Sequence, residues 1–150
     1  MLVLREVVDQ VATVTLNRPE ARNALSGALT SELDDVITEL NGRDDVACII
    51  LTGADPAFCA GIDLKALGAG GLGEMHVASG RGPLPERTKP LIGAINGLAY
   101  GGAALLSSIL DLRIGCERTQ FGFLAASYGR VNSTWSLPLL VGLPKAKELL

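Results

Sequence analysis

At 150 residues and 48% hydrophobic content, the chain is long enough to bury one core, and it reads as a single domain over 1–150. Thirteen Lys and Arg against sixteen Asp and Glu leave a net charge of −3. The cations are scattered singly, which argues against nucleic-acid partners and against a polybasic membrane patch. No apolar run approaches the roughly 18 residues of a membrane span. Arg5 and Glu6 interrupt the place where a secretion signal would be apolar. The three cysteines, Cys48, Cys59 and Cys116, lack framework spacing and read as reduced, buried thiols, so a cytoplasmic location is expected.

Two valine-rich runs, Leu2–Val8 and Val11–Leu16, flank Asp9-Gln10 and predict an antiparallel hairpin. Leu29, Leu33, Val36, Ile37 and Leu40 follow a Ser26 N-cap candidate at helical spacing and predict a one-faced helix that closes at Asn41-Gly42. The continuously apolar runs Ala47–Leu51 and Leu91–Ile95 predict parallel strands covered on both faces. Between them lie a loop over Ala54–Lys65, a glycine-rich stretch and a helix around Glu74–Arg87. Gly101–Leu110 has no polar face and predicts a buried helix. Leu112–Cys116 predicts a further strand. This alternation is that of an α/β domain, with ligands at the carboxyl ends of the strands.

Two stretches carry candidate chemistry: Phe58-Cys59-Ala60-Gly61-Ile62-Asp63-Leu64-Lys65 and Ala94-Ile95-Asn96-Gly97-Leu98-Ala99-Tyr100-Gly101-Gly102. Each places small residues where backbone must approach a ligand, and the second opens an apolar helix whose first N–H groups lack intrahelical acceptors. Together they suggest an oxyanion hole. Gly68–Gly73 fits G-x-G-x-x-G literally, but no strand precedes it, so it reads as a mobile connector rather than a dinucleotide site. Cys59 could be a nucleophile with His76, the single histidine, as its base, although nothing in the spacing brings the two together. Asp63 reads as the cap of a short helix more readily than as a catalytic acid, and Lys65 either reaches an anionic ligand or is solvated.

These motifs, together with Leu16-Asn17-Arg18-Pro19-Glu20-Ala21-Arg22-Asn23-Ala24-Leu25, Leu51-Thr52-Gly53 and Asp111-Leu112-Arg113-Ile114, resemble the crotonase superfamily, that is, the enoyl-CoA hydratase/isomerase family, in the same order along the chain. The resemblance implies a spiral of ββα units with a largely parallel sheet covered by helices. It implies an acyl-CoA ligand, no further cofactor and no metal, and a trimer-type homo-oligomer. The thioester oxygen would be held by the Ile62 and Gly102 amides, each worth about 3–4 kcal/mol at the transition state. Ala24 and Leu25 would line the adenine pocket, with Arg22 and Lys65 toward phosphate. Ala60, Gly61, Asp63, Leu64, Tyr100 and Gly101 would complete the substrate-contacting backbone.

The two glutamates of the family's hydratases align with Leu105 and Ala125, neither of which moves a proton, and a third acidic position used by some members aligns with Ser133. Pro144–Leu150 begins an amphipathic helix that stops within about two turns, and the segment after Trp135 is short by about one turn. The resemblance therefore implies that the chain is truncated, with the family's C-terminal helices missing. Three readings stay open: an acyl-CoA enzyme whose proton carrier is Tyr128, Ser133, Asp63 or a residue of the missing C-terminal part; a non-catalytic acyl-CoA-binding protein; and an inactive fragment.

Overall fold

In a computed structural model of the chain, the described residues are 1–65, 84–129, 134 and 136–150. The hairpin forms as expected from β1 (Val3–Val8) and β2 (Val11–Leu16), in the register Val3↔Leu16 to Val8↔Val11. Asp9 and Gln10 take φ of 47° and 66°. Two left-handed residues make the tight connection whose twist matches that of the strands it joins.

Helix α1 (Gly27–Asn41) is capped at Ser26, whose Oγ accepts from the Leu29 N–H at 3.3 Å. Its buried residues are the five the periodicity named: Leu29, Leu33, Val36, Ile37 and Leu40. They pack in one core with Ala12, Val14 and Leu16 of β2 and Ile49 and Leu51 of β3 (Cys48–Gly53). Strand β4 (Leu91–Ile95) follows in parallel with β3, and β6 (Leu112–Gly115) in parallel with β4, giving the order β1-β2-β3-β4-β6 with only the first pair antiparallel. Strands β3 and β4 are more completely covered on the core face than on the other. Burial alternates along each strand, with Cys48, Ile50, Thr52, Ile92 and Ala94 half-buried on the face opposite the core.

A second, two-stranded parallel sheet pairs β5 (Leu98–Tyr100) with β7 (Gln120–Gly122). Three-residue strands are too short to leave a periodic pattern, and neither β5 nor β7 was expected. The buried helix is α2 (Gly102–Ser108), shorter than the expected Gly101–Leu110 because Gly101 is not helical and Ile109 caps the other end. Its serines are accommodated by bonding back to the helix: Ser107 Oγ donates to the Ala103 carbonyl at 2.8 Å and Ser108 Oγ to the Leu105 carbonyl at 2.7 Å.

Most of the helix expected around Glu74–Arg87 lies outside the described residues, and Leu84–Arg87 are not helical. Two short helices, α3 (Leu137–Val141) and α4 (Leu143–Leu149), end the chain and meet at Gly142 with φ 77°. Edge strand β6 exposes all four residues, with Leu112 and Ile114 each more than half exposed.

Candidate active site

The site forms where the segments leaving the carboxyl ends of β3 and β4 meet. The turn after β3 is held by Asn23, which is fully buried. Its Nδ2 donates to the carbonyls of Ala54 and Ala57 at 2.8 Å and of Phe58 at 3.2 Å, while its Oδ1 accepts from the Arg18 N–H at 2.8 Å. A φ of 56° aims this side chain inward, a conformation that asparagine tolerates better than most residues. Beyond the turn, Cys59 bridges Ala99 and Ile62 bridges Leu25, both in parallel sense.

The second bridge determines the orientation of the Ile62 peptide. In a parallel pair, one residue bonds to the two neighbours of its partner and leaves the partner's own N–H and C=O pointing to the opposite edge. Here the Leu25 N–H donates to the Gly61 carbonyl at 2.7 Å and the Asp63 N–H to the Leu25 carbonyl at 2.9 Å. The Ile62 N–H therefore faces away from Leu25, toward the start of α2.

There Gly101 takes φ 55° and ψ −114°, a combination available to glycine, and turns the chain from β5 into α2 with Gly102 at the first helical position. The two segments are nearly in contact. A Cβ added to Gly61, itself at φ +93°, would lie 2.3 Å from the Tyr100 carbonyl oxygen and 3.2 Å from the Gly102 nitrogen. One added to Gly102 would lie 3.6 Å from the Ile62 nitrogen. Among the described residues, neither the Ile62 nor the Gly102 N–H donates to a protein acceptor. Two adjacent, half-buried amide donors without partners, surrounded by glycine, can receive one oxygen atom between them.

The other expected site residues lie around this pair. Ala24, Leu25 and Gly61 are buried, and the Ala60 N–H donates to the Arg22 carbonyl at 2.9 Å. Arg22, Leu64 and Lys65 are exposed at the rim. Tyr100 donates from its hydroxyl to Gln120 Oε1 at 2.9 Å. Leu105 and Ala125 are half-buried. Asp63 is the cap the sequence predicted: its Oδ1 accepts from the Lys65 N–H at 3.0 Å, and its Oδ2 takes a 2.6 Å ion pair from Arg18 Nη1. Ser133, His76, the Gly68–Gly73 run and the side chain of Tyr128 lie outside the described residues.

Of the thiols, Cys59 is buried as expected and Cys116 requires a correction. Cys59 is fully buried, with burial the main cause that pushes its thiol up to about 12, and its Sγ accepts the Gly61 N–H at 3.4 Å. A thiol held neutral in this way is a packing element rather than a nucleophile. Cys116, expected to be buried, is exposed, and a backbone hydrogen bond from Arg118 is the leading cause that lowers its pKa.

Sequence reasoning missed the roles of Asn23 and Arg18, although both stand in the motif that carried the resemblance. The available signal was the opposite charge of Arg18 and Asp63 in two segments that the fold must bring together.

A family model described as enoyl-CoA hydratase/isomerase matches residues 6–150. The short-chain-enoyl-CoA hydratase of Clostridium acetobutylicum is 35% identical over 99% of this chain and 60% of its own length. The (E)-benzylidenesuccinyl-CoA hydratase of Thauera aromatica is 35% identical over all of this chain and 62% of its own. The crystal structure of enoyl-CoA hydratase from Mycobacterium smegmatis superposes with a TM-score of 0.87 at 38% identity, covering 99% of this chain and 64% of that one. The chain thus spans less than two thirds of the length of the relatives it matches, with its helices and largely parallel sheet arranged as in theirs. A fold shared at this level, together with a match over nearly every residue, establishes that the chain belongs to the enoyl-CoA hydratase/isomerase family.

Proposed function

We propose that this chain binds an acyl-CoA thioester and polarises its carbonyl between the Ile62 and Gly102 amides. The observation that carries the reading is the juxtaposition of these two N–H groups without protein acceptors, each fixed by the bonds its neighbours make. Fixed donors gain most when the oxygen they hold becomes more negative, so they favour an enolate over a neutral thioester. Donors held by the backbone in this way need little reorganisation as charge develops.

Proton transfer is the missing half. Hydration needs one group to orient and deprotonate water and another to protonate the α-carbon, each worth about 10²–10⁴-fold. Leu105 and Ala125 can do neither. Asp63, a carboxylate near the donors, is occupied by Arg18 and by the Lys65 N–H. The chain is therefore a carbonyl-polarising acyl-CoA binder with little hydratase activity. Arg22 and Lys65 at the rim suit the anionic end of the ligand.

Calorimetric titration with crotonyl-CoA and with free CoA tests the reading. Tighter binding of the thioester is expected, and equal affinities would remove the role assigned to the two amides.

A further inference from the structure

We propose that Arg18 is a positioning residue whose guanidinium neutralises Asp63 and thereby sets the electrostatic potential of the Ile62–Gly102 amide pair. The proposal rests on the function proposed above.

Asp63 follows Ile62 directly, so a negative charge sits one residue from a donor that must favour negative charge on its ligand. The carboxylate is well shielded, its side chain being 11% exposed against 24% for Arg18. Arg18 Nη1 approaches Oδ2 to 2.6 Å and also donates to the Ala24 carbonyl at 3.1 Å. One nitrogen thus joins the residue before Leu25 to the residue after Ile62, on either side of the bridge that orients the Ile62 N–H. Among the described residues, further charges lie along these segments. Glu20 reaches Arg18 Nε only at 3.7 Å and is largely exposed, and the Lys65 side chain is solvated.

Asp63 is retained for geometry, because its Oδ1 caps the Lys65 N–H. Without the opposing charge of Arg18, the carboxylate would disfavour enolate formation on a bound thioester, and in shielded surroundings that effect is little screened. Arg18 cancels it while leaving the cap in place.

The probe is acetoacetyl-CoA, whose enolate absorbs in the near ultraviolet, so the pKa of the bound ligand reads the potential at the amides. Arg18→Met should raise that pKa by about one unit, or tenfold. Asp63→Asn, which keeps a capping side chain but leaves Arg18 unopposed, should shift it in the opposite direction by a similar amount. The double variant should return it to the wild-type value, and Arg18→Lys should stay close to wild type throughout.

Shifts of the same sign in the two single variants would overturn the proposal, because a purely structural contact predicts damage from either loss. So would an unchanged ligand pKa in Asp63→Asn, a variant that keeps the cap and is expected to fold. Wild-type protein that binds acetoacetyl-CoA no better than CoA would instead refute the underlying function, a result distinguishable before any variant is made.

Discussion

Leu25 and Ile62 face each other across a single parallel bridge, and the Leu25 N–H and C=O bond to the residues on either side of Ile62 rather than to Ile62 itself. That arrangement leaves the Ile62 amide available to a ligand, and it makes the site a product of backbone geometry. Such geometry depends little on which side chains stand at positions 105 and 125. Backbone perturbations disturb it directly.

Gly61→Ala should therefore be severe. Its methyl group would meet the Tyr100 carbonyl oxygen at 2.3 Å, and φ of +93° is strained for any side chain. A loss of about 2–4 kcal/mol is expected by urea denaturation, together with loss of thioester preference. A variant of wild-type stability that still prefers the thioester would show that the two segments are not packed as described.

Asn23→Ala should destabilise by about 3–4 kcal/mol, since it strips a buried donor from the Ala54, Ala57 and Phe58 carbonyls and an acceptor from the Arg18 N–H. Asn23→Asp, which presents a carboxylate to those carbonyls, should be no better. Thermal melts of both variants beside wild type check the expectation.

Much of this arrangement was legible in the sequence. The spacing of Leu29, Leu33, Val36, Ile37 and Leu40 identified the buried face of α1, and valine content with Asp9-Gln10 identified the hairpin, because these are local patterns of period and turn chemistry. Ile62 and Gly102 were reached through motif resemblance, and the glycines beside them through the need for close backbone approach. The Arg18–Asp63 pair was missed because its partners lie 45 residues apart and opposite charge alone does not specify which cation meets which carboxylate. Strands β5 and β7 escaped because three residues carry no period, and Cys116 because it follows an edge strand that is apolar in composition yet exposed.

The cysteines should separate on alkylation. Cys116 is exposed with its pKa lowered, so more thiolate is present at mildly alkaline pH than for an ordinary thiol, and native protein should be labelled there first. Cys59 should stay unlabelled until the protein unfolds. Its folded pKa of about 12 lies above the ordinary 9.0, so the stability contributed by its neutral thiol is present below pH 9 and is lost as pH rises toward 12. Cys59→Ala should flatten that alkaline decline, as read by denaturation at a series of pH values. Peptide mapping that finds Cys59 alkylated in the folded chain would contradict its burial.

Crotonyl-CoA hydration should run at least about 10³-fold below the rate of a hydratase carrying both glutamates. Following the decay of the enoyl absorbance measures this. Ordinary turnover would mean that a proton carrier other than positions 105 and 125 serves the site.

The central claim, that the Ile62 and Gly102 amides together hold and polarise a thioester oxygen, is tested most directly by the vibration of the carbonyl itself. Isotope-edited infrared difference spectra of crotonyl-CoA labelled with ¹³C at C1 report the strength of that C=O bond in solution and when bound. Two donors on one oxygen weaken the bond, so the account predicts a stretch shifted to lower frequency on binding and a smaller shift in Gly102→Pro, which deletes one donor. A bound thioester whose carbonyl absorbs at its solution frequency would contradict it.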